Sequence, residues 1–141
     1  MKQELVSDWM TREVITISPD TSLKEAHDIM NSKSIRRLPV VIHGKVLGIV
    51  TLGDIRGAEP SKASSLSVWE MNDLLANLKV AEIMTHDPIT IHQNASIGDA
   101  ARIMFEKKFS GLPVVDQENR LVGIITESDI FRLVASEWSK T

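Results

Sequence analysis

The stretch that decides the fold is GIVTLGDI, residues 48–55, because it returns as GIITESDI at residues 123–130. An apolar strand, a Thr and an Asp three residues later recur, while the two residues between Thr and Asp differ. Working outward from this pair, a shift of 74 sets Val6, Met10, Thr11, Ile15, Thr16 and Ile17 on Val80, Met84, Thr85, Ile89, Thr90 and Ile91. The same shift sets Ala26, Ile29 and Met30 on Ala100, Ile103 and Met104, and LPVV (38–41) on LPVV (112–115). One extra residue then makes the shift 75 through Asp54 and Asp129. Over residues 6–41 and 46–55, 20 of 46 aligned positions are identical, so the chain is an internal duplication.

Each copy reads as strand, helix, strand, strand, helix. VITI (14–17) and PITI (88–91) are short β-rich runs. Ser22 with Glu25 and Ser96 with Asp99 have capping-box spacing, and Leu23, Ala26, Ile29, Met30 and their equivalents follow at helical intervals. LPVVI, HGK and VLGIVT predict two strands about a short turn; LPVV, DQENR and LVGIIT predict the same with a longer turn, where the extra residue falls. A last helix opens at SDIFRLVASEW in the second copy and at GDIR in the first, where Gly57 and Pro60 cut it short. RGAEPSKASSLS reads as a loop. SVWEMNDLLANLK reads as a helix capped by Ser67 and Glu70, with Val68, Met71, Leu75 and Leu78 as its stripe. The expected organisation is a first motif at 1–60, a linker with its helix at 61–79, and a second motif at 80–141. A half of about 50 residues is too small to bury its own apolar face, so the fold class expected is α/β (α+β), a pseudo-twofold pair of β-α-β-β-α motifs packed through their sheets with two equivalent clefts.

Composition bounds the function. Hydrophobic residues make up 43% and charged residues 25%, a folded composition. A net charge of −3 gives no global field for nucleic acid or anionic lipid, so nucleic-acid binding is disfavoured. There is no cysteine, hence no disulfide or thiolate site, and no apolar run nears the roughly 20 residues that span a bilayer. MKQELVSDWM has no signal-type apolar region, and the reading is cytoplasmic with no membrane partner. His27, His43, His86 and His92 lack metal-ligand spacing, no G-x-S-x-G or Walker-type loop occurs, and neither catalytic residues nor a catalytic cofactor are expected. Trp9, Trp69, Trp138 and the six methionines read as core or interface packing.

Thr-x-x-Asp at a strand-to-helix junction has two readings, and both stay open. The Thr and Asp can simply cap the helix. Alternatively, the hydroxyl and free N–H groups meet a phosphate while the carboxylate accepts both hydrogens of a ribose cis-diol.

The ordered set MT (10–11, 84–85), VITI and PITI, IM (29–30, 103–104), LPVV and G-I-h-T-x-x-D-I resembles a tandem cystathionine-beta-synthase (CBS) domain pair, or Bateman module, over about residues 5–136. EPSKASSLSVWEMNDLL and IRRLPVV are similar to the acetoin-utilization type of stand-alone bacterial CBS proteins. The resemblance implies binding of an adenosyl ligand (AMP, ADP, ATP or S-adenosylmethionine) in clefts that borrow from both copies. Asp54 and Asp129 would hold ribose hydroxyls, with Thr51 and Thr126 near phosphate or ribose. Thr11, Ile15, Thr16, Ile35 and Ile124 would join Thr126 and Asp129; Thr85, Ile89, Thr90, Phe109 and Ile49 would join Thr51 and Asp54. Arg36 and Arg37, aligned with Ser110 and Gly111 of the second copy, are either phosphate contacts or solvated, ion-paired arginines. The function expected is a non-enzymatic regulatory sensor, a homodimer acting on a separate effector protein. The alternative is a structural dimerisation module whose clefts stay empty.

Overall fold

The computed structural model describes residues 4–59 and 66–139. In chain order its elements are α1 (Val6–Trp9), α2 (Leu23–Lys33), β1 (Arg37–Ile42), β2 (Lys45–Thr51), α3 (Leu52–Ala58), α4 (Val68–Asn77), a 3-10 turn (Val80–Glu82), β3 (Thr85–His86), β4 (Ile91–His92), α5 (Ile97–Lys107), β5 (Gly111–Val115), β6 (Leu121–Thr126) and α6 (Glu127–Trp138). They form two compact units, a contiguous one of Ile15–Pro88 and a discontinuous one that joins Met1–Val14 to Ile89–Thr141. The units in space are therefore offset from the copies in sequence. Each copy's leading segment belongs to the unit that holds the other copy's sheet.

In the contiguous unit the sheet runs β1-β2-β3, antiparallel throughout. His43 and Gly44 both have positive φ between the paired Ile42 and Lys45, the two-residue turn that matches the twist of a hairpin. Ser22 accepts from the Glu25 N–H at 3.0 Å and starts α2, whose face Leu23, Ala26 and Met30 is buried against Leu38, Val40, Val50 and Ile55. Lys79 to Met84 completes this core: Val80 and Met84 are buried, the Val80 N–H donates to Thr21 O and the Leu23 N–H to Leu78 O. α3 ends at Ala58, and Glu59 is extended, as the residue before a proline prefers. Pro60 itself and residues 61–65 of the expected loop lie outside the described residues.

The discontinuous unit repeats the plan. Its sheet runs β4-β5-β6, with β4 parallel to β5. α1 takes the place of the 3-10 turn: the Val6 N–H donates to Ala95 O, the Ile97 N–H to Glu4 O, and Val6 and Met10 enter a core with Ile97, Ala100, Met104, Leu112 and Ile125. The longer hairpin loop closes on Asp116, whose carboxylate accepts from the N–H groups of Glu118 (2.9 Å) and Arg120 (3.0 Å) and from Arg120 Nε (3.0 Å).

Both leading segments cross a glycine. A Cβ at Gly48 would lie 2.6 Å from Met84 Sδ and 2.8 Å from Thr85 O; one at Gly123 would lie 2.7 Å from Met10 Sδ and 2.8 Å from Thr11 O. The recurrent Met-Thr and the recurrent Gly are thus two sides of one contact, and because a carbonyl is one of the obstacles a flexible methionine alone cannot make room.

Three expectations change. VITI forms no strand: only Ile17 bridges to Val40, because the chain turns at Ser18 to Thr21, and PITI contributes only Ile91 to β4. Ser67 does cap α4, but of its stripe only Leu75 is buried; Val68 is 74% exposed. Of the two readings for the tryptophans, exposure of Trp69 (83%) and Trp138 (70%) removes core packing and leaves interface packing, while Met10, Met30, Met84 and Met104 are buried, Met71 is partly so and Met1 lies outside the described residues. Gly48→Ala and Gly123→Ala are each expected to destabilise the protein by about 1–3 kcal/mol, measured by urea denaturation; an unchanged midpoint in either would show that the contact is dispensable.

Candidate functional site

Each Thr-x-x-Asp motif stands where a strand hands over to a helix. At the end of β2 the Thr51 N–H donates to Asp54 Oδ2 at 2.9 Å and the Asp54 N–H donates to Thr51 Oγ1 at 3.1 Å. At the end of β6 the Thr126 N–H donates to Asp129 Oδ2 at 2.9 Å, and the Thr126 hydroxyl reaches the same oxygen at 3.2 Å. Both carboxylates therefore cap their helices, a contribution of about 0.5–2 kcal/mol each. The cap uses only Oδ2. Asp54 Oδ1 has no partner among the described residues, and Asp129 Oδ1 receives Arg132 Nη2 at 3.4 Å. Asp54 is partly exposed, whereas Asp129 is only 6% exposed.

Around each corner the sheet assembles part of the expected set. In the contiguous unit Ile49 pairs with Thr85 and Arg37 with Thr51, and the Leu52 N–H donates to Arg36 O at 2.8 Å. Arg36 is thereby fixed at the start of α3; its guanidinium is exposed and makes no ion pair among the described residues. Ile15, Thr16 and Ile35 belong to the same unit. In the discontinuous unit Thr11 pairs with Ile124, the Glu127 N–H donates to Ser110 O at 3.1 Å, and Ile89, Thr90 and Phe109 lie in this unit. Of the sets that the resemblance implies, Thr51, Asp54, Ile49 and Thr85 share one unit and Thr126, Asp129, Ile124 and Thr11 the other, whereas Ile15, Thr16 and Ile35, expected with Asp129, lie in the unit of Asp54, and Ile89, Thr90 and Phe109, expected with Asp54, lie in the unit of Asp129.

Arg132 and Trp9 were missed. Their only sequence signal is the i,i+3 spacing of Asp129 and Arg132; the approach of Trp9 needs the fold. A separate groove of about 850 Å³ runs between α5 and α6, lined by Met104, Phe105, Phe109, Ile130 and Phe131 among others. Of the expected site residues it includes only Phe109. Among the described residues no helix is long and apolar enough to cross a membrane.

The CBS domain family model matches residues 6–61 and 80–136. An uncharacterized protein of Methanocaldococcus jannaschii is 38% identical over 129 residues; these span 90% of this chain but 43% of that protein's length. Among solved structures, the CBS domain pair of protein MJ0100 in complex with 5′-methylthioadenosine and S-adenosyl-L-methionine is 34% identical with a TM-score of 0.78, covering 96% of this chain and 99% of that one. CBSX2, from Arabidopsis thaliana, in complex with AMP is 29% identical with a TM-score of 0.81, covering 94% and 97%. A chain from Vibrio cholerae described as an acetoin utilization protein (AcuB) is 29% identical with a TM-score of 0.79, covering 98% and 95%.

Asp54→Ala is expected to lower stability by about 1 kcal/mol through loss of the cap, and Asp54→Asn by less, since the amide oxygen still accepts the Thr51 N–H. Thermal denaturation compares the two; equal losses would remove the cap from the account.

Proposed function

We propose that this chain, which belongs to the CBS domain family, is a non-enzymatic regulatory module that binds an adenosyl ligand at its Thr-x-x-Asp corners. The observation that carries the reading is the division of labour within the carboxylate. One oxygen of Asp54 stabilises the helix, and the other remains available to the hydroxyls of a ribose. That two similar CBS pairs were solved with AMP and with S-adenosylmethionine and methylthioadenosine supports an adenosine-containing ligand here.

In this reading Asp54 and Asp129 hold the sugar, Thr51 and Thr126 lie beside it, and Ile49 and Ile124 supply apolar surface. Thr11 and Thr85, with Ile15, Thr16, Ile35, Ile89, Thr90 and Phe109, complete the contacts. Arg36, with Arg37 beside it, offers a charge-assisted contact to phosphate at the first corner, where the second copy has only Ser110. The candidate ligands remain AMP, ADP, ATP and S-adenosylmethionine, with the polyphosphates drawing more from the arginines.

The ligand acts by linkage: it favours whichever arrangement of the chain it fits better, by as much as its affinities for the arrangements differ. Output passes to a separate effector in the cytoplasm. The module works as a homodimer, for which exposed Phe105 (85%), Phe131 (65%) and Trp138 supply apolar surface.

One observation favours a second reading. Among the described residues Asp54 makes cap bonds only, which a structural dimerisation module with empty clefts would share. The two readings separate by experiment. Mass spectrometry of small molecules released from protein purified without added nucleotide, then calorimetry with AMP and with S-adenosylmethionine, is expected to reveal an adenosyl ligand. Asp54→Asn with Asp129→Asn is expected to abolish the ligand-induced thermal shift, each lost charge-assisted bond costing about 1.5–3 kcal/mol, roughly tenfold or more in affinity. No shift with any adenosyl compound in the unmutated protein would leave the structural reading.

A further inference from the structure

The two corners share a motif but not an environment. In the discontinuous unit Arg132 Nη2 donates to Trp9 O at 3.0 Å and to Asp129 Oδ1 at 3.4 Å, and the guanidinium carbon sits 4.9 Å from the centre of the Trp9 ring. The ring is itself held, its indole N–H donating to Glu4 Oε2 at 3.4 Å. Arg132 is thus anchored by two contacts to Trp9 that do not depend on Asp129. The equivalent positions in the other copy are Gly57 and Ile83, and among the described residues Asp54 has no ion-pair partner.

An ionised carboxylate has about four acceptor sites. Asp129 spends three, on the Thr126 N–H, the Thr126 hydroxyl and Arg132, and is buried besides. Asp54 spends one, on the Thr51 N–H. A cis-diol brings two donors. It can be met at Asp54 without disturbing anything, whereas at Asp129 it must displace Arg132 or turn the Thr126 hydroxyl away.

We infer that Arg132 is an affinity-determining residue that makes the two corners unequal, holding the Asp129 corner partly closed so that an adenosyl ligand fills the Asp54 corner first. The inference rests on the adenosyl-binding reading above. It assigns the two copies different work: the Asp54 corner is occupied at low ligand concentration and the Asp129 corner responds at higher concentration, by releasing Arg132 from the carboxylate.

The test is calorimetry with AMP and with S-adenosylmethionine on the full chain. Asp54→Asn leaves the Asp129 corner and Asp129→Asn leaves the Asp54 corner; the second variant is expected to bind more tightly than the first. Adding Arg132→Ala to Asp54→Asn is expected to raise affinity about fivefold, the upper end of the range for an ion pair with one exposed partner, while Arg132→Lys, which keeps the charge, recovers less. A gain of affinity cannot come from structural damage. Should Arg132→Ala fail to fold, the reciprocal change remains: a Cβ at Gly57 meets nothing within 4 Å among the described residues, so Gly57→Arg in the Asp129→Asn background starts without a clash at its first carbon and is expected to weaken binding, with Gly57→Ala neutral. Equal corners that neither substitution alters would overturn the inference while leaving adenosyl binding intact. No binding of either compound to the unmutated chain would overturn both.

Discussion

The close passage of a Met-Thr backbone over a glycine is the constraint on which the structure depends. Gly48 and Gly123 lie in the strands that lead into the Thr-x-x-Asp motif, and each leaves room for a carbonyl and a methionine sulfur that any side chain would exclude. Through that gap Thr85 reaches Ile49 and Thr11 reaches Ile124. The same docking buries Val80 and Met84 in one core, and Val6 and Met10 in the other. The glycine is needed for proximity and not for an unusual φ, which is why it recurs in the middle of a strand, where it would otherwise weaken the element.

From that contact the site follows. The leading segment brings a threonine alongside the strand two residues before the capping Thr, and in the discontinuous unit it also brings Trp9 against Arg132. A duplicated chain thus presents two carboxylates with the same bond to their own backbone and different second oxygens. Divergence has kept the Thr and Asp of the caps and changed what surrounds them, at Arg36 against Ser110 and at Gly57 against Arg132.

Local features were legible because they are written in a few adjacent residues. The caps at Ser22, Ser67 and Ser96 follow from spacing to an acidic residue, and the hairpins from apolar runs about short polar turns. α4 shows the limit of this: an amphipathic stripe is buried only where something covers it, and Val68 is left outside while Leu75 is enclosed. VITI shows another, since β propensity makes no strand without a partner of equal length. The offset between copies and units could not be read from the alignment, because equivalent segments satisfy the same apolar pattern whichever sheet receives them. The exchange entered only through the family resemblance. Arg132 escaped notice for a related reason: an arginine three residues after an aspartate is common on helices, and its second anchor lies more than a hundred positions away.

That offset has a consequence for synthesis. Residues 15–88 leave the ribosome as one uninterrupted run and carry everything their unit requires, so this half can close while the remainder is still being made. The segment around Val6 to Thr11, emerging before it, must wait for β6 and its glycine before it has a seat. Until then Val6, Trp9 and Met10 travel uncovered, and a segment translated before residues 15–88 is ordered after them.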